Sequence, residues 1–416
     1  MPSEQMQAII DALRDHIPQD GRLTVEQHRA MHDALLARRP PDEDVRIEAT
    51  MLGGVAAEWV WAEGVPAGRV VLHCHGGGFR AGSPRGSRQF AGRLSRASRA
   101  RIALLDYRLA PEHPFPAALD DVIASYRGLL DAGHEPASIA FGGESIGGGT
   151  LALAALPAAR ESGLPLPASA FALSPLTDLT LNSPAIMDPG GRDPLARDAR
   201  QFAEAVRDYL PPGQDPAAPL VSPLYAAWSG LPAVHIEVGS TERLIDDARR
   251  LIERARLAGV PATLDVTDGG VHAFPATAPD TPEAEAAIER IAGHLIAAWK
   301  PQPTRQGWLG APDKAQTVTF ETTQESGMFA RVITAQTESQ GLGSVIDLFR
   351  EQLPGASQQP GFKGFYLLTD AETGKVVIIS LWETREQMPA GIRDQPLPVT
   401  WLTPPHLETY EVAAHS

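Results

Sequence analysis

The chain has 416 residues, 43% of them hydrophobic and 21% charged, enough for more than one domain and for a large core. Its net charge of −15 excludes a nucleic-acid surface, where clustered Lys and Arg would have to neutralise phosphates. A single cysteine, Cys74, excludes an internal disulfide, and no run approaches the roughly 20 apolar residues that span a bilayer. The opening Met1-Pro2-Ser3-Glu4-Gln5 lacks the basic region and apolar core of a secretory signal, so a cytoplasmic location is expected.

Residues 4–37 carry helical periodicity, with Met6, Ile9, Ile10 and Leu13, then Val25, His28, Met31 and Leu35, opposite acidic and Arg-rich faces. Short apolar runs follow at Arg46–Met51, Ala57–Trp61, Arg69–Cys74, Arg101–Asp106, Ser138–Phe141, Ser169–Leu173, Ala233–Val238 and Thr263–Val266. Eight strands, interleaved with helices from the third onward, predict an α/β fold with a mainly parallel sheet covered on both faces. Ligands of such sheets bind beyond the carboxyl ends of the strands.

Two glycine-rich motifs fall at such ends. His75-Gly76-Gly77-Gly78 closes the third run. No Lys-Ser/Thr pair follows it, which argues against a phosphate-binding loop. Gly143-Glu144-Ser145-Ile146-Gly147 lies between a strand and the Ala/Leu-rich helix Thr150–Arg160. That is the nucleophile-elbow pattern, in which a sharp turn exposes the serine at a helix N-terminus. The pentapeptide alone is weak evidence, and the pairing of the two motifs carries the inference. Acyl transfer needs N–H donors aimed at a developing oxyanion, and we assign Gly77, Gly78 and Ile146 to that role. Cys74, inside the apolar run, is expected to be a buried thiol and not a nucleophile.

Together with Asp106-Tyr107-Arg108-Leu109-Ala110-Pro111-Glu112-His113-Pro114-Phe115-Pro116, these motifs resemble the hormone-sensitive-lipase-like branch of the α/β-hydrolases over about residues 1–300. The resemblance implies esterase chemistry on short acyl chains, with no metal or organic cofactor, and a helical cap. The N-terminal helices would supply one cap segment, about residues 1–45. The break in pattern at 182–223, with a helix over Arg200–Leu210, would supply the other. Phe202 and Tyr209 are candidates to line an acyl pocket there. Two departures from the family pattern are Glu144 for the commoner Asp and Ile146 for the usual Ala.

The triad acid is expected after the seventh strand, where Glu242, Asp246 and Asp247 offer three carboxylates. Glu242 is nearest the strand end and matches the family's first position. Asp246 is the alternative, and both aspartates fall a turn later, where a solvated helix face is expected. The base is expected after the eighth strand, in Asp268-Gly269-Gly270-Val271-His272, so the chain order is Ser145, Glu242, His272. His113, His235 and His294 are read as packing or surface residues.

Helix Pro282–Trp299 leads into a Pro/Gly-rich linker, 301–314, and then a segment of different composition, 315–416. Runs at Thr317–Phe320, Phe329–Thr334, Phe365–Thr369, Val376–Trp382 and Glu408–Val412 predict strands, and Leu342–Leu353 and the stretch from Arg385 predict helices. This order predicts a ferredoxin-like α+β domain. Met328–Glu383 resembles the antibiotic-biosynthesis-monooxygenase-like, dimeric α/β-barrel family. Active members typically use an Asn, which this segment lacks, and His406 and His415 form no haem-ligand pattern. Trp382 is therefore read as core or interface packing. Three functions compete: a serine esterase dimerised through residues 315–416, a bifunctional esterase/oxygenase, and an inactive hydrolase fold used for binding. The presence of all three triad residue types disfavours the last.

Overall fold

The computed structural model describes residues 2–16, 24–36, 40–188, 193–195 and 199–299, and four strands nearer the C-terminus. The chain divides into two compact units, Met1–Arg305 and Gln306–Ser416.

The first unit opens with helices α1 (Glu4–His16) and α2 (Val25–Leu36). Strands β1 (Val45–Leu52) and β2 (Val55–Ala62) form a hairpin around Gly53-Gly54. Both glycines have positive φ, 56° and 86°, as a tight two-residue turn that matches strand twist requires. The chain then alternates as β3 (Val70–Cys74), α3 (Pro84–Ser98), β4 (Arg101–Leu105), α4 (Ala117–Asp131), β5 (Ile139–Glu144), α5 (Thr150–Glu161) and β6 (Ser169–Leu173). After β6 come α6 (Pro184–Met187) and α7 (Ala199–Tyr209), then β7 (Ala233–Gly239), α8 (Ile245–Leu257), β8 (Ala262–Thr267), α9 (Phe274–Thr277) and α10 (Pro282–Ala298).

The eight strands form one sheet in the order β1-β2-β4-β3-β5-β6-β7-β8. β1 and β2 run antiparallel, and β4, β3 and β5 to β8 are parallel to one another. From β3 the chain crosses one way to β4, then returns to the other side for β5. The loops leaving β3 and β5 therefore splay apart at adjacent strand ends and open a crevice there. The first glycine motif sits on the loop after β3, and the second straddles the end of β5.

β3, β5 and β6 are buried at every residue, which is why they read as continuous apolar runs. Alternate side chains serve two cores. Val70, Leu72 and Leu105 face α4 and α5, while Val71, Ile102 and Leu104 pack with Phe90 and Leu94 of α3 and Ile291 and Leu295 of α10. α5 is apolar nearly all round because it lies deep in the first core. Truncating one of its leucines, such as Leu153 or Leu156, is expected to cost about 2–5 kcal/mol. α10 starts sharply because Thr281 accepts from the Ala284 N–H at 3.2 Å, Pro282 needs no donor partner, and Glu283 and Glu285 suit the positive helix end.

β5 runs three residues beyond the expected end at Phe141. Gly142 and Gly143 read as turn residues in sequence, yet they lie within the strand. A Cβ on Gly142 would sit 2.5 Å from the Phe171 ring of β6, so the glycine answers to a close approach and not to a turn.

In the second unit β9 (Phe329–Thr337), β10 (Phe362–Asp370), β11 (Lys375–Trp382) and β12 (Trp401–Glu411) form an antiparallel sheet in the order β10-β11-β9-β12. That order, with the first and third strands central, is that of a ferredoxin-like α+β domain. Trp382 ends β11 opposite Phe329, and His406 lies in β12 opposite Thr334. The expected strand Thr317–Phe320, the two expected helices, the linker and His415 lie outside the described residues.

Candidate active site

Ser145 follows β5 directly and opens a π-helical turn, Ser145–Gly149, that continues into α5. Its φ is +65°, a conformation costly for a residue with a Cβ and characteristic of a sharp strand-to-helix corner. The corner is possible because its glycines leave no room for side chains. A Cβ on Gly143 would strike the Gly148 carbonyl, one on Gly148 the Cys74 carbonyl, and one on Gly147 would lie 2.8 Å from the Phe79 nitrogen.

His272 arrives on the loop between β8 and α9, and its Nε2 lies 2.6 Å from Ser145 Oγ. Glu242 sits between β7 and α8, and its Oε2 accepts from His272 Nδ1 at 2.8 Å. Ser145, His272 and Glu242 thus lie in one hydrogen-bonded line. Glu242 is 3% exposed. Its other oxygen accepts from the Gly239 N–H at 2.6 Å and from Ser174 Oγ at 2.8 Å. Burial disfavours the charged form of His272. The hydrogen bond and charge of Glu242, reinforced by Asp193 and Glu144, outweigh it and hold the imidazole above its ordinary range.

The other two carboxylates stand elsewhere. Asp246 accepts from the Ala185 N–H at 3.1 Å and meets Arg249 at 3.4 Å. Asp247 corrects the expectation of a solvated helix face. It is fully buried and its Oδ2 accepts from the N–H groups of Thr177 and Asp178 at 2.8 and 2.9 Å. Burial pushes its carboxyl up to about 6.

The His75–Gly78 loop lies against the elbow: a Cβ on Gly76 would be 3.1 Å from the Ser145 Cβ. Gly77 has φ +117°, and a Cβ there would strike the Ala81 carbonyl, so only glycine fits. Among the described residues, neither the Gly77 nor the Gly78 N–H has a protein acceptor. Ile146, on the opening turn after Ser145, is partly buried against the main core. His75 stacks on Tyr107 at 4.3 Å between ring centres, and the Tyr107 hydroxyl donates to the His75 carbonyl at 2.8 Å. Beneath Ser145, Glu144 accepts from Ser87 Oγ and lies 3.5 Å from His73 Nε2. Cys74 is a buried thiol, its ionisation pushed up by burial.

Phe202 and Tyr209 of α7 are both buried, and Tyr209 stacks on Phe79. α1 places Met6 and Ile10 against Val271 and Phe274, the neighbours of His272. His235 and His294 stack on each other at 5.5 Å. His235 bonds Thr263 and Glu237, and Arg290 grips Glu237 with two nitrogens at 2.8 and 2.7 Å. These bonds tie His235, Glu237 and Arg290 into one cluster, with Asp265 at its rim 3.7 Å from Arg290; ligand atoms of His235, Glu237 and Asp265 lie within 4.8 Å of one another.

Two residues at the site were not singled out from sequence. Ser174, just after β6, donates to Glu242 and accepts from the Ala273 N–H at 2.9 Å, tying Glu242 to the His272 loop. A polar residue at the carboxyl end of a central strand is the signal that marks it. Asp193 is 1% exposed, and a carboxylate oxygen lies within 4.8 Å of ligand atoms of Glu242 and His272. Nothing in its local sequence, Asp193-Pro194, distinguishes it from a turn residue.

Residues 71–276 match the alpha/beta hydrolase fold family, and residues 328–390 match the antibiotic biosynthesis monooxygenase family. An acetyl-hydrolase of Streptomyces hygroscopicus is 40% identical over 262 residues, 62% of this chain and 83% of that protein. The chain belongs to the alpha/beta hydrolases. An esterase of Acinetobacter venetianus is 32% identical over 275 residues, 66% of this chain and 90% of that protein. The crystal structure of an esterase from the bacterial hormone-sensitive lipase family superposes with a TM-score of 0.68 at 39% identity, covering 72% of this chain and all of that one. This alpha/beta hydrolase is thus a carboxylic ester hydrolase of the hormone-sensitive-lipase-like branch, fused to an antibiotic-biosynthesis-monooxygenase-like domain. No helix among the described residues is long and apolar enough to cross a membrane.

Proposed function

We propose that the protein is a serine carboxylesterase acting on short-chain acyl esters through Ser145, His272 and Glu242. The observation that carries this reading is the continuous pair of hydrogen bonds, 2.6 Å from Ser145 to His272 and 2.8 Å from His272 to Glu242. His272 takes the Ser145 proton as Oγ attacks the ester carbonyl, and the carbonyl oxygen becomes an oxyanion held by the N–H groups of Gly77, Gly78 and Ile146. His272 returns the proton to the departing alcohol. A water, deprotonated by His272, then releases the acid from Ser145. Glu242 fixes the imidazole's tautomer and stabilises its charged form throughout. Each oxyanion donor contributes about 3 kcal/mol to lowering the barrier.

Short acyl chains are supported by Ile146, bulkier than the family's usual Ala, beside the nucleophile, and by the aromatic packing of α7 onto Phe79. A relative is named an acetyl-hydrolase, and a solved neighbour at 37% identity was soaked with p-nitrophenyl butyrate. A p-nitrophenyl ester series from acetate to decanoate, with Ser145→Ala as the blank, tests both points. kcat/KM should peak at four carbons or fewer, about that length being what a crowded pocket admits. A peak at eight or more overturns the chain-length reading, and undiminished hydrolysis by Ser145→Ala overturns the mechanism.

For the second unit we propose homodimerisation through residues 315–416. β11 is paired on both sides, and its alternation puts Val376, Ile378 and Trp382 on one face and Val377, Ile379 and Leu381 on the other. In the ferredoxin-like pattern two helices cover one face of the sheet. The other is apolar enough to require a partner sheet, supplied by a second copy across a two-fold axis.

A further inference from the structure

The backbone that carries the Gly77 and Gly78 N–H groups is held from outside the sheet, by two helices far apart in sequence. Phe79, with φ +63°, stacks its ring on Tyr209 of α7, 3.7 Å between centres and 6° from parallel. The Ala205 Cβ of the same helix lies 3.6 Å from where a Gly78 Cβ would be. Arg80 then donates from its guanidinium to Asp208 Oδ2 on α7 at 2.9 Å, with both side chains nearly buried. From the other side, Arg29 of α2 donates its Nε to the Arg80 carbonyl at 2.7 Å and a terminal nitrogen to the Ala110 carbonyl at 3.2 Å. Its terminal nitrogens also grip Glu112 at 2.8 and 2.7 Å. The Ala110 N–H returns to the Phe79 carbonyl at 2.9 Å, and the Gly77 carbonyl accepts from the N–H of Arg80 and of Ala81 at 3.2 and 3.0 Å.

Apart from the loop's own turn bonds to the Gly77 carbonyl and the contact of Phe79 with Gly147, these tethers of the loop from Gly77 to Ala81 lead to α2, to α7, or to the Ala110 turn that α2 also clamps. A buried ion pair is a strong switch of this kind, because removing one partner strands the other charge in a dry environment. Oxyanion donors act only when aimed to within a fraction of an ångström of the developing charge.

We propose that Arg80 is a positioning residue that ties both helical segments to the oxyanion donors, through its side chain to α7 and its carbonyl to α2. Docking of the two segments and aiming of the Gly77 and Gly78 N–H groups are then one event. Loss of either tether lowers transition-state stabilisation without altering ground-state binding. This rests on the reading of Gly77 and Gly78 as oxyanion donors.

The test compares full-length wild type with Asp208→Asn, Asp208→Glu and Arg29→Met. It measures kcat and KM on a short p-nitrophenyl ester, and inhibition by a matched pair of ketones. An alkyl trifluoromethyl ketone adds Ser145 Oγ to its carbonyl and becomes an oxyanion, whereas the methyl ketone of the same chain binds without reacting. In Asp208→Asn and Arg29→Met, kcat should fall about tenfold with KM within about twofold. The trifluoromethyl ketone should weaken by the same factor and the methyl ketone should be unchanged. Asp208→Glu should recover most of the loss. A loss carried by KM alone, an unchanged trifluoromethyl ketone, or Asp208→Glu as poor as Asp208→Asn overturns the proposal. Should Asp208→Asn not fold, Arg29→Met gives the same readout from the opposite tether. Wild type that binds both ketones equally would instead overturn the oxyanion reading itself.

Discussion

Ser174 joins the two loops that carry Glu242 and His272. Its Oγ donates to Glu242 Oε1 at 2.8 Å and accepts from the Ala273 N–H at 2.9 Å, so one hydroxyl links the Glu242 and His272 loops. Ser174→Ala strands the Ala273 N–H and leaves Glu242 Oε1 with the Gly239 N–H as its remaining donor. We predict a loss of about 1–3 kcal/mol of stability and about a tenfold lower kcat with little change in KM, checked by urea unfolding and steady-state kinetics. Unchanged kcat would mean that Gly239 alone suffices to hold Glu242.

The three candidate acids separate by phenotype. Glu242→Gln should lower kcat on the order of 10³- to 10⁴-fold with KM little changed, because the amide favours the wrong tautomer of His272. Asp246→Asn should be mild. Asp247→Ala should instead lower stability by about 2–6 kcal/mol, since the N–H groups of Thr177 and Asp178 lose their acceptor in the core. The folded fraction should keep its kcat. A collapse of kcat in Asp246→Asn together with an active Glu242→Gln would move the acid one turn along α8.

pH dependence follows from the raised pKa of His272. As the proposed base, His272 works only when neutral, so kcat/KM should fall as pH drops through that pKa, and the acid limb should lie above 6.5, the ordinary imidazole value. Facing His272 are Glu242, Asp193 and Glu144, all of which favour its charged form. Asp193→Asn removes one of these charges and should shift the limb to lower pH, read from kcat/KM–pH profiles of the two proteins. A limb that does not move would leave Asp193 with a packing role only.

Much of this was legible in the sequence because period and punctuation agree. The run Ser169–Leu173 is β6 to the residue, and the elbow motif, the family resemblance and chain order together pointed to Ser145, Glu242 and His272, which lie in hydrogen-bond contact. What was not legible depends on contacts between distant segments. Gly142 looks like a turn residue until Phe171 is seen against it, and Asp247 looks solvated until the Thr177 backbone arrives 70 positions away. Ser174 and Asp193 have ordinary neighbours in sequence and acquire their importance from Glu242, which neither adjoins. The tether of Arg80 to Asp208 spans 128 positions and has no periodic signature at all.

Removal of everything after Trp299 separates the two units. The truncated protein should be a monomer that keeps most of its kcat/KM, while the full chain should be a dimer, both measured by light scattering beside the ester assay. A full-length monomer, or a truncated dimer, would overturn dimerisation through residues 315–416 and return attention to chemistry near Trp382.

The central claim is that Ser145 is the nucleophile, and covalent trapping tests it most directly. Wild-type protein is treated with a fluorophosphonate and the labelled peptide is sequenced by mass spectrometry, with Ser145→Ala treated in parallel. The predicted result is one label per chain, on the peptide containing Gly143-Glu144-Ser145, lost in Ser145→Ala together with ester hydrolysis. Label on a different serine, or ester hydrolysis by Ser145→Ala at the wild-type rate, would contradict it.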